Sequence, residues 1–191
     1  MANEFYALMG RMRYISRWGL MRNSFVENVQ EHSHQVAVLA HALALIRRDI
    51  LHLDGPDPDR CAVAALYHDA SETLTGDMPT PIKYYNPEIK QAYKQVEQIA
   101  GQRLLTMIPE QLRSSYEAYI LESDAEVSSI VKAADKLSAH IKCLEEQKAG
   151  NTEFDTAARH TWDALKAMNR PELDWFLENC LTPFTLNLDH L

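Results

Sequence analysis

The 191-residue chain is 46% hydrophobic and 24% charged, with a formal net charge of −8, a composition that fits one globular domain with a sizeable core. That acidic balance argues against nucleic acid as a partner, because polymeric phosphate is bound mainly through many Lys and Arg contacts. No apolar run is long enough to span a bilayer and the first residues lack the h-region of a signal peptide, so no membrane partner is expected, while three scattered cysteines, Cys61, Cys143 and Cys180, argue against a disulfide framework and fit a reducing cytoplasm.

With only six glycines and apolar residues recurring at helical spacing, the pattern predicts helices over 3–13, 29–50, 57–74, 87–107, 109–120, 124–149, 152–169 and 171–180. The breaks fall at Gly55-Pro56, Gly76 to Pro81, Pro87, Pro109, Gly150-Asn151 and Pro171, where turn chemistry expects them. A single all-α domain over residues 1–191 follows. Residues 183–188 read as an extended apolar tail that docks on the core or on a partner.

Arg11, Arg13, Arg17 and Arg22 fall in one short stretch, a local excess of positive charge. Arg11 and Arg13 fit a solvated helix face. Arg17, beside Trp18 and outside a clear helical pattern, is the better candidate for holding a phosphate with its planar fork of donors. Trp18 taken alone reads as a core aromatic.

The helix over 29–50 carries His32, His34 and His41. With Val36 at zero and 100° per residue, Val29, Leu39, Ala40, Leu43 and Ile46 fall between about −80° and +40°, and His32 lies at about −40° within that stripe. His34 and His41 lie on the opposite face. His32 is therefore a candidate ligand, or else a satisfied core histidine near a helix start where Asn28 and Glu31 are spaced like a capping box.

The next helix opens with an apolar run, Cys61 to Tyr67, and ends in His68, Asp69 and Glu72 before Gly76 and Asp77. Eight His and 12 Asp in 191 residues give about half an His-Asp pair by chance, so the pair alone is weak. Its context is stronger, because charges carried into the interior by such a run need a partner or a metal to offset several kcal/mol of lost hydration. On a continuous helix His68, Asp69 and Glu72 would share an arc of about 100°. A further ligand is expected from the later helices. Asp124 fits the helix start in Ser123-x-x-Glu126, Asp155 lies in a polar stretch, and Asp135 flanks the stripe of Val127, Ile130, Val131, Ala134, Leu137 and Ile141 without being at its centre.

His32, the His68-Asp69 pair and Asp135, in this order on separate helices, resemble the H…HD…D ligand set of the HD-domain metal-dependent phosphohydrolases. The likeness extends through Ser16-Arg17-Trp18, Met21-Arg22-Asn23, Glu27 to Ser33, Tyr67 to Glu72, Leu74 to Asp77, Pro79 to Pro81, Lys83-Tyr84 and Cys143 to Glu146. Over about residues 9–154 the chain is similar to the bacterial 5'-deoxynucleotidases of the YfbR type, and more loosely so beyond.

The resemblance implies that His32, His68, Asp69 and Asp135 bind one divalent cation. Cobalt or manganese is favoured, with zinc, iron, copper and magnesium as further candidates. Mixed nitrogen and oxygen ligands suit transition ions better than an all-oxygen magnesium site. The substrates would be deoxyribonucleoside 5'-monophosphates. The metal and Arg17 would stabilise charge on the phosphate, the metal would activate a water, and Glu72 would orient or deprotonate it. Asp77 would protonate the departing 5'-oxygen or grip the sugar. Trp18 would exclude a 2'-hydroxyl, while Asp77, Met78, Pro79 and Thr80 line the other side of the nucleotide and His32, Asp69 and Asp135 border it. Relatives of this kind imply a homodimer. Two alternatives stand beside this reading: an HD phosphohydrolase acting on a nucleoside triphosphate or guanosine tetraphosphate, and a non-catalytic nucleotide-binding HD protein.

Overall fold

The computed structural model describes residues 3–83 and 85–191, apart from the side chains of Thr80 and Pro81. The chain runs as α1 (Phe5–Met9), α2 (Val29–Leu45), α3 (Pro58–Tyr67), α4 (Glu72–Thr75), α5 (Thr80–Lys83), α6 (Pro87–Thr106), α7 (Arg113–Ile120), α8 (Ala125–Lys148), α9 (Asp155–Ala167) and α10 (Pro171–Asn179). No strand occurs among the described residues. An isolated antiparallel bridge joins Ser16 to Asn28.

The helix starts follow from side-chain caps. Asn28, Asp57, Asn86 and Asp124 each accept backbone N–H groups from the first turn of α2, α3, α6 and α8, satisfying donors that otherwise have no helical partner, each cap contributing about 1 kcal/mol. Asp124 is thus occupied as a cap, as its spacing suggested, although the cap is the aspartate rather than Ser123. The last turn of the second predicted helix widens to a π-helical turn over Ile46–Ile50, with Leu51 N donating to Ile46 O at 2.9 Å.

The main core lies where α2, α3, α8 and α10 meet. Val36, Ala40 and Leu43 pack with Cys61 and Ala65, with Ile130, Ala134, Leu137 and Ile141, and with Leu173 and Phe176. Burying each of the larger aliphatic side chains contributes about 1.5–3 kcal/mol. The small residues of α3 allow it to lie close against α2, and so bring His68 at the end of α3 near His32 at the start of α2. A second cluster, Phe5, Ala70, Leu104 and Ile108 with Tyr67 and Tyr116, supports the turn after α3. A third, Cys143, Phe154 and Ala158, packs against Trp18 and Met21.

Three expectations change. The predicted first helix is only α1 followed by a 3-10 turn at Met12–Tyr14. The helix expected over 57–74 breaks after Tyr67: the Ala65 carbonyl accepts from His68 Nδ1 at 2.7 Å, and the chain then proceeds in tight turns, with Ala70 N bonded to Tyr67 O and Glu72 N to Asp69 O at 3.0 Å each. The tail is not extended. It folds into 3-10 turns at Thr182–Thr185 and Leu188–His190; Phe184 packs on the core, while Leu188 is exposed.

Candidate active site

His32 is 1% exposed. Its Nδ1 lies 3.1 Å from Ser138 Oγ, and that hydroxyl donates its own hydrogen to Gln35 Oε1 at 2.6 Å. The hydroxyl oxygen is left to accept, so His32 carries its hydrogen on Nδ1 and directs the Nε2 lone pair inward. His68 reaches the same state by another route, since its Nδ1 faces the Ala65 carbonyl, which can only accept. Two histidines on two helices are thus oriented by their other ring nitrogens, the arrangement that metal-binding imidazoles require.

The inward atoms converge. His32 Nε2 stands 3.1 Å from Asp135 Oδ1 and 3.6 Å from Asp69 Oδ2, and His68 Nε2 stands 3.1 Å from Asp69 Oδ2. His32, His68 and Asp135 each offer one atom within 4.8 Å of the other two. Asp135, from the flank of the α8 stripe, keeps 39% of its side chain exposed, so the cluster is open on that side. Arg17 approaches the same Asp69 oxygen, its NH1 lying 3.4 Å from Oδ2.

Despite these approaches, His32 Nε2, His68 Nε2 and Glu72 Oε2 are buried without a hydrogen-bond partner. Each such atom costs about 1–3 kcal/mol. The two imidazole nitrogens fit an occupant that accepts lone pairs, and with the carboxylate oxygens they are a donor set for a divalent transition ion. His32, His68, Asp69 and Asp135 could therefore hold such an ion.

The electrostatics are those of crowded acids and bases. Without a cation, burial works against the charged His68 ring, but Asp69, then Asp135 and the Ala65 carbonyl, raise it to about 9; a bound metal would displace that proton and take the Nε2 lone pair. Burial also opposes ionisation of Asp69 and Asp135, yet the histidines hold Asp69 down to about 2 and Asp135, with Arg17 adding its charge, far below the usual carboxylate range. Glu72 goes the other way: burial first, then the charges of Asp69 and Asp77, push it up to about 9. Asp77 is raised as well, chiefly by burial. For Arg17, burial is outweighed by Asp69, Asp135, Glu27 and Asp77, which raise it.

Glu72 enters the site as the first residue of α4 rather than from a continuous helix with His68. Gly76, at φ 74°, ends α4 in a conformation that glycine adopts without strain and releases the segment carrying Asp77, Met78 and Pro79. Asp77 lies within the electrostatic reach of Arg17, Asp69 and His32; Met78 and Pro79 are half-buried. The Thr80 side chain and Tyr84 lie outside the described residues. His34 is exposed, and His41 turns outward to approach Asp59 at 3.4 Å.

The groove of about 770 Å³ between α8, α9 and α10, lined by His140, Leu144, Trp162 and Leu177, includes none of the candidate residues. Sequence reasoning gave no separate role to Gln35, Ser138 or Glu27. Ser138 stands three residues from Asp135, on the face of α8 turned to α2, a spacing that could have marked it.

In solved structures this fold occurs in an HD-domain phosphohydrolase from Listeria innocua, which superposes with a TM-score of 0.82 over 97% of this chain and 90% of that one at 19% identity. The architecture is thus that of the HD-domain phosphohydrolases. The family model for 5'-deoxynucleotidase YfbR-like proteins matches residues 4–184. The 5'-deoxynucleotidase of Vibrio atlanticus is 47% identical, covering 99% of this chain and 98% of its own, and that of Erwinia tasmaniensis is 49% identical, covering 99% and 96%. The chain belongs to the YfbR-like 5'-deoxynucleotidase family.

Proposed function

We propose that this protein is a metal-dependent 5'-deoxynucleotidase, hydrolysing deoxyribonucleoside 5'-monophosphates to deoxyribonucleosides and phosphate. The observation that carries the reading is the meeting of two inward Nε2 atoms with Asp69 and Asp135 beside the half-buried Arg17, in a chain of this family.

His32, His68, Asp69 and Asp135 hold one divalent cation, cobalt or manganese in preference. When bound, that cation supplies positive charge to the phosphate and lowers the pKa of water, and it offsets the carboxylate charges that keep a proton on Glu72. Arg17 donates from its guanidinium to the phosphate oxygens, held in place by Asp69 on NH1 and by Glu27 on Nε at 3.0 Å. Glu72 takes the proton of the attacking water at Oε2. The bond from that water to phosphorus forms as the bond from phosphorus to the 5'-oxygen breaks. Asp77, whose burial favours its protonated form, delivers a proton to the departing oxygen. Trp18 forms a wall against the 2'-position, with Asp77, Met78, Pro79 and Thr80 along the opposite side.

We further infer one HD domain over residues 1–191 that acts in the cytoplasm as a homodimer. The free state of Cys61, Cys143 and Cys180 supports a reducing compartment, and the exposed Leu188 and Leu191 support a shared surface. The activity is tested by phosphate release from dAMP before and after chelation and on return of Co²⁺. Release that stops with chelator and returns with Co²⁺ is expected; no release with added metal contradicts the reading.

A further inference from the structure

Trp18 has φ 58°, a left-handed conformation in which a bulky residue is an outlier, at a cost of about 1–3 kcal/mol. Such a residue persists only where its surroundings fix it. Glu27 supplies much of that hold, and it is 7% exposed. Its Oε2 accepts from Trp18 Nε1 at 3.0 Å, and the same oxygen accepts from Arg17 Nε at 3.0 Å. The Glu27 carbonyl accepts from Arg17 N at 2.9 Å, beside the bridge between Ser16 and Asn28. The indole ring is backed by Phe154, with ring centroids 5.3 Å apart. The bond from Nε1 fixes the ring edge that carries it.

One buried carboxylate oxygen therefore ties together two adjacent side chains with different tasks. Without it, Arg17 keeps a single long contact to Asp69, and Trp18 can leave its strained backbone conformation. We infer that Glu27 is a positioning residue that sets the discrimination between deoxyribose and ribose, by locking the Trp18 ring edge and the Arg17 fork to one point. This rests on the 5'-deoxynucleotidase reading above.

The test compares phosphate release from dAMP and AMP, with Co²⁺, for the wild type, Glu27→Ala, Glu27→Gln, Trp18→Phe and Trp18→Phe with Glu27→Ala, alongside the Tm and Co²⁺ content of each. Glu27→Ala is expected to narrow the dAMP-to-AMP ratio of kcat/KM by about tenfold or more with its Co²⁺ retained, an effect on selectivity that a loss of folded protein cannot produce. Glu27→Gln, which keeps the size and one acceptor, narrows it in part and remains informative if the alanine variant does not fold. In the Trp18→Phe background, which lacks the Nε1 donor, Glu27→Ala produces no further narrowing. A lower Tm with an unchanged ratio in the glutamine and alanine variants overturns the inference. A wild type that releases phosphate equally from dAMP and AMP overturns the reading beneath it, and is recognised before any substitution is compared.

Discussion

His32 Nε2 lies 3.1 Å from Asp135 Oδ1, so that the start of α2 and the middle of α8 meet at one point although 103 residues separate them in the chain. His32 Nε2 is buried there without a hydrogen-bond partner. Replacing Asp135 with Asn keeps the size and removes the charge and one acceptor. Co²⁺ content of the purified variant is expected to fall to a small fraction of the wild-type value, with phosphate release from dAMP falling by about 10²-fold or more. Full metal content with full activity would remove Asp135 from the ligand set.

Glu72 has the opposite profile. Its Oε2 is buried and unpartnered, and its role is placed on the water rather than on the cation. Glu72→Ala is expected to retain Co²⁺ by metal analysis while kcat falls by about 10²–10⁴-fold, the usual contribution of a positioned acid or base. Loss of the metal in this variant would make Glu72 structural.

Ser138 acts at one remove, accepting from His32 Nδ1 and passing its own hydrogen to Gln35. Ser138→Ala leaves the imidazole without the partner that fixes its tautomer. Co²⁺ affinity, followed by titration, is expected to weaken by about 10–100-fold while Tm changes little. An unchanged affinity would show that burial alone orients His32.

The buried pair Lys142 and Glu146 gives a prediction about pH. Glu146 Oε1 accepts from Lys142 Nζ at 2.5 Å, and Oε2 accepts from Ser24 N at 2.9 Å and Asn151 Nδ2 at 2.8 Å. Burial opposes ionisation, but these donors lower the carboxyl to about 2. A folded-state pKa below the unfolded one gives stability that is present above the unfolded value, about 4.3, and lost as pH falls through about 2. For a wholly buried group the gain is about 3 kcal/mol. Glu146→Gln is therefore expected to lower the urea midpoint clearly at pH 7 and about half as much at pH 3. A gap that does not shrink in acid contradicts the assignment.

The parts of this fold legible in the sequence were those set by local rules. The prolines and caps marked the starts of α3, α6, α8 and α10, and the helical period placed His32 inward and His34 outward. The break after Tyr67 was not legible, because it depends on a side chain taking its own helix's carbonyl: His68 Nδ1 on Ala65 O. Asp135 was ambiguous for a related reason. It lies on the flank of its stripe, and only the position of α2 decides that this flank faces His32. Glu27 gave no local signal, since its importance comes from two donors brought to one oxygen by the turn through Trp18. Tertiary contact decided the last two.

The most direct measurement is the ratio of kcat/KM for dAMP to that for AMP in the Co²⁺-loaded wild-type protein. Phosphate release from dAMP is expected to exceed release from AMP by about tenfold or more, as a site that rejects one hydroxyl sterically should. Equal release from the two nucleotides, or none from either, would contradict it.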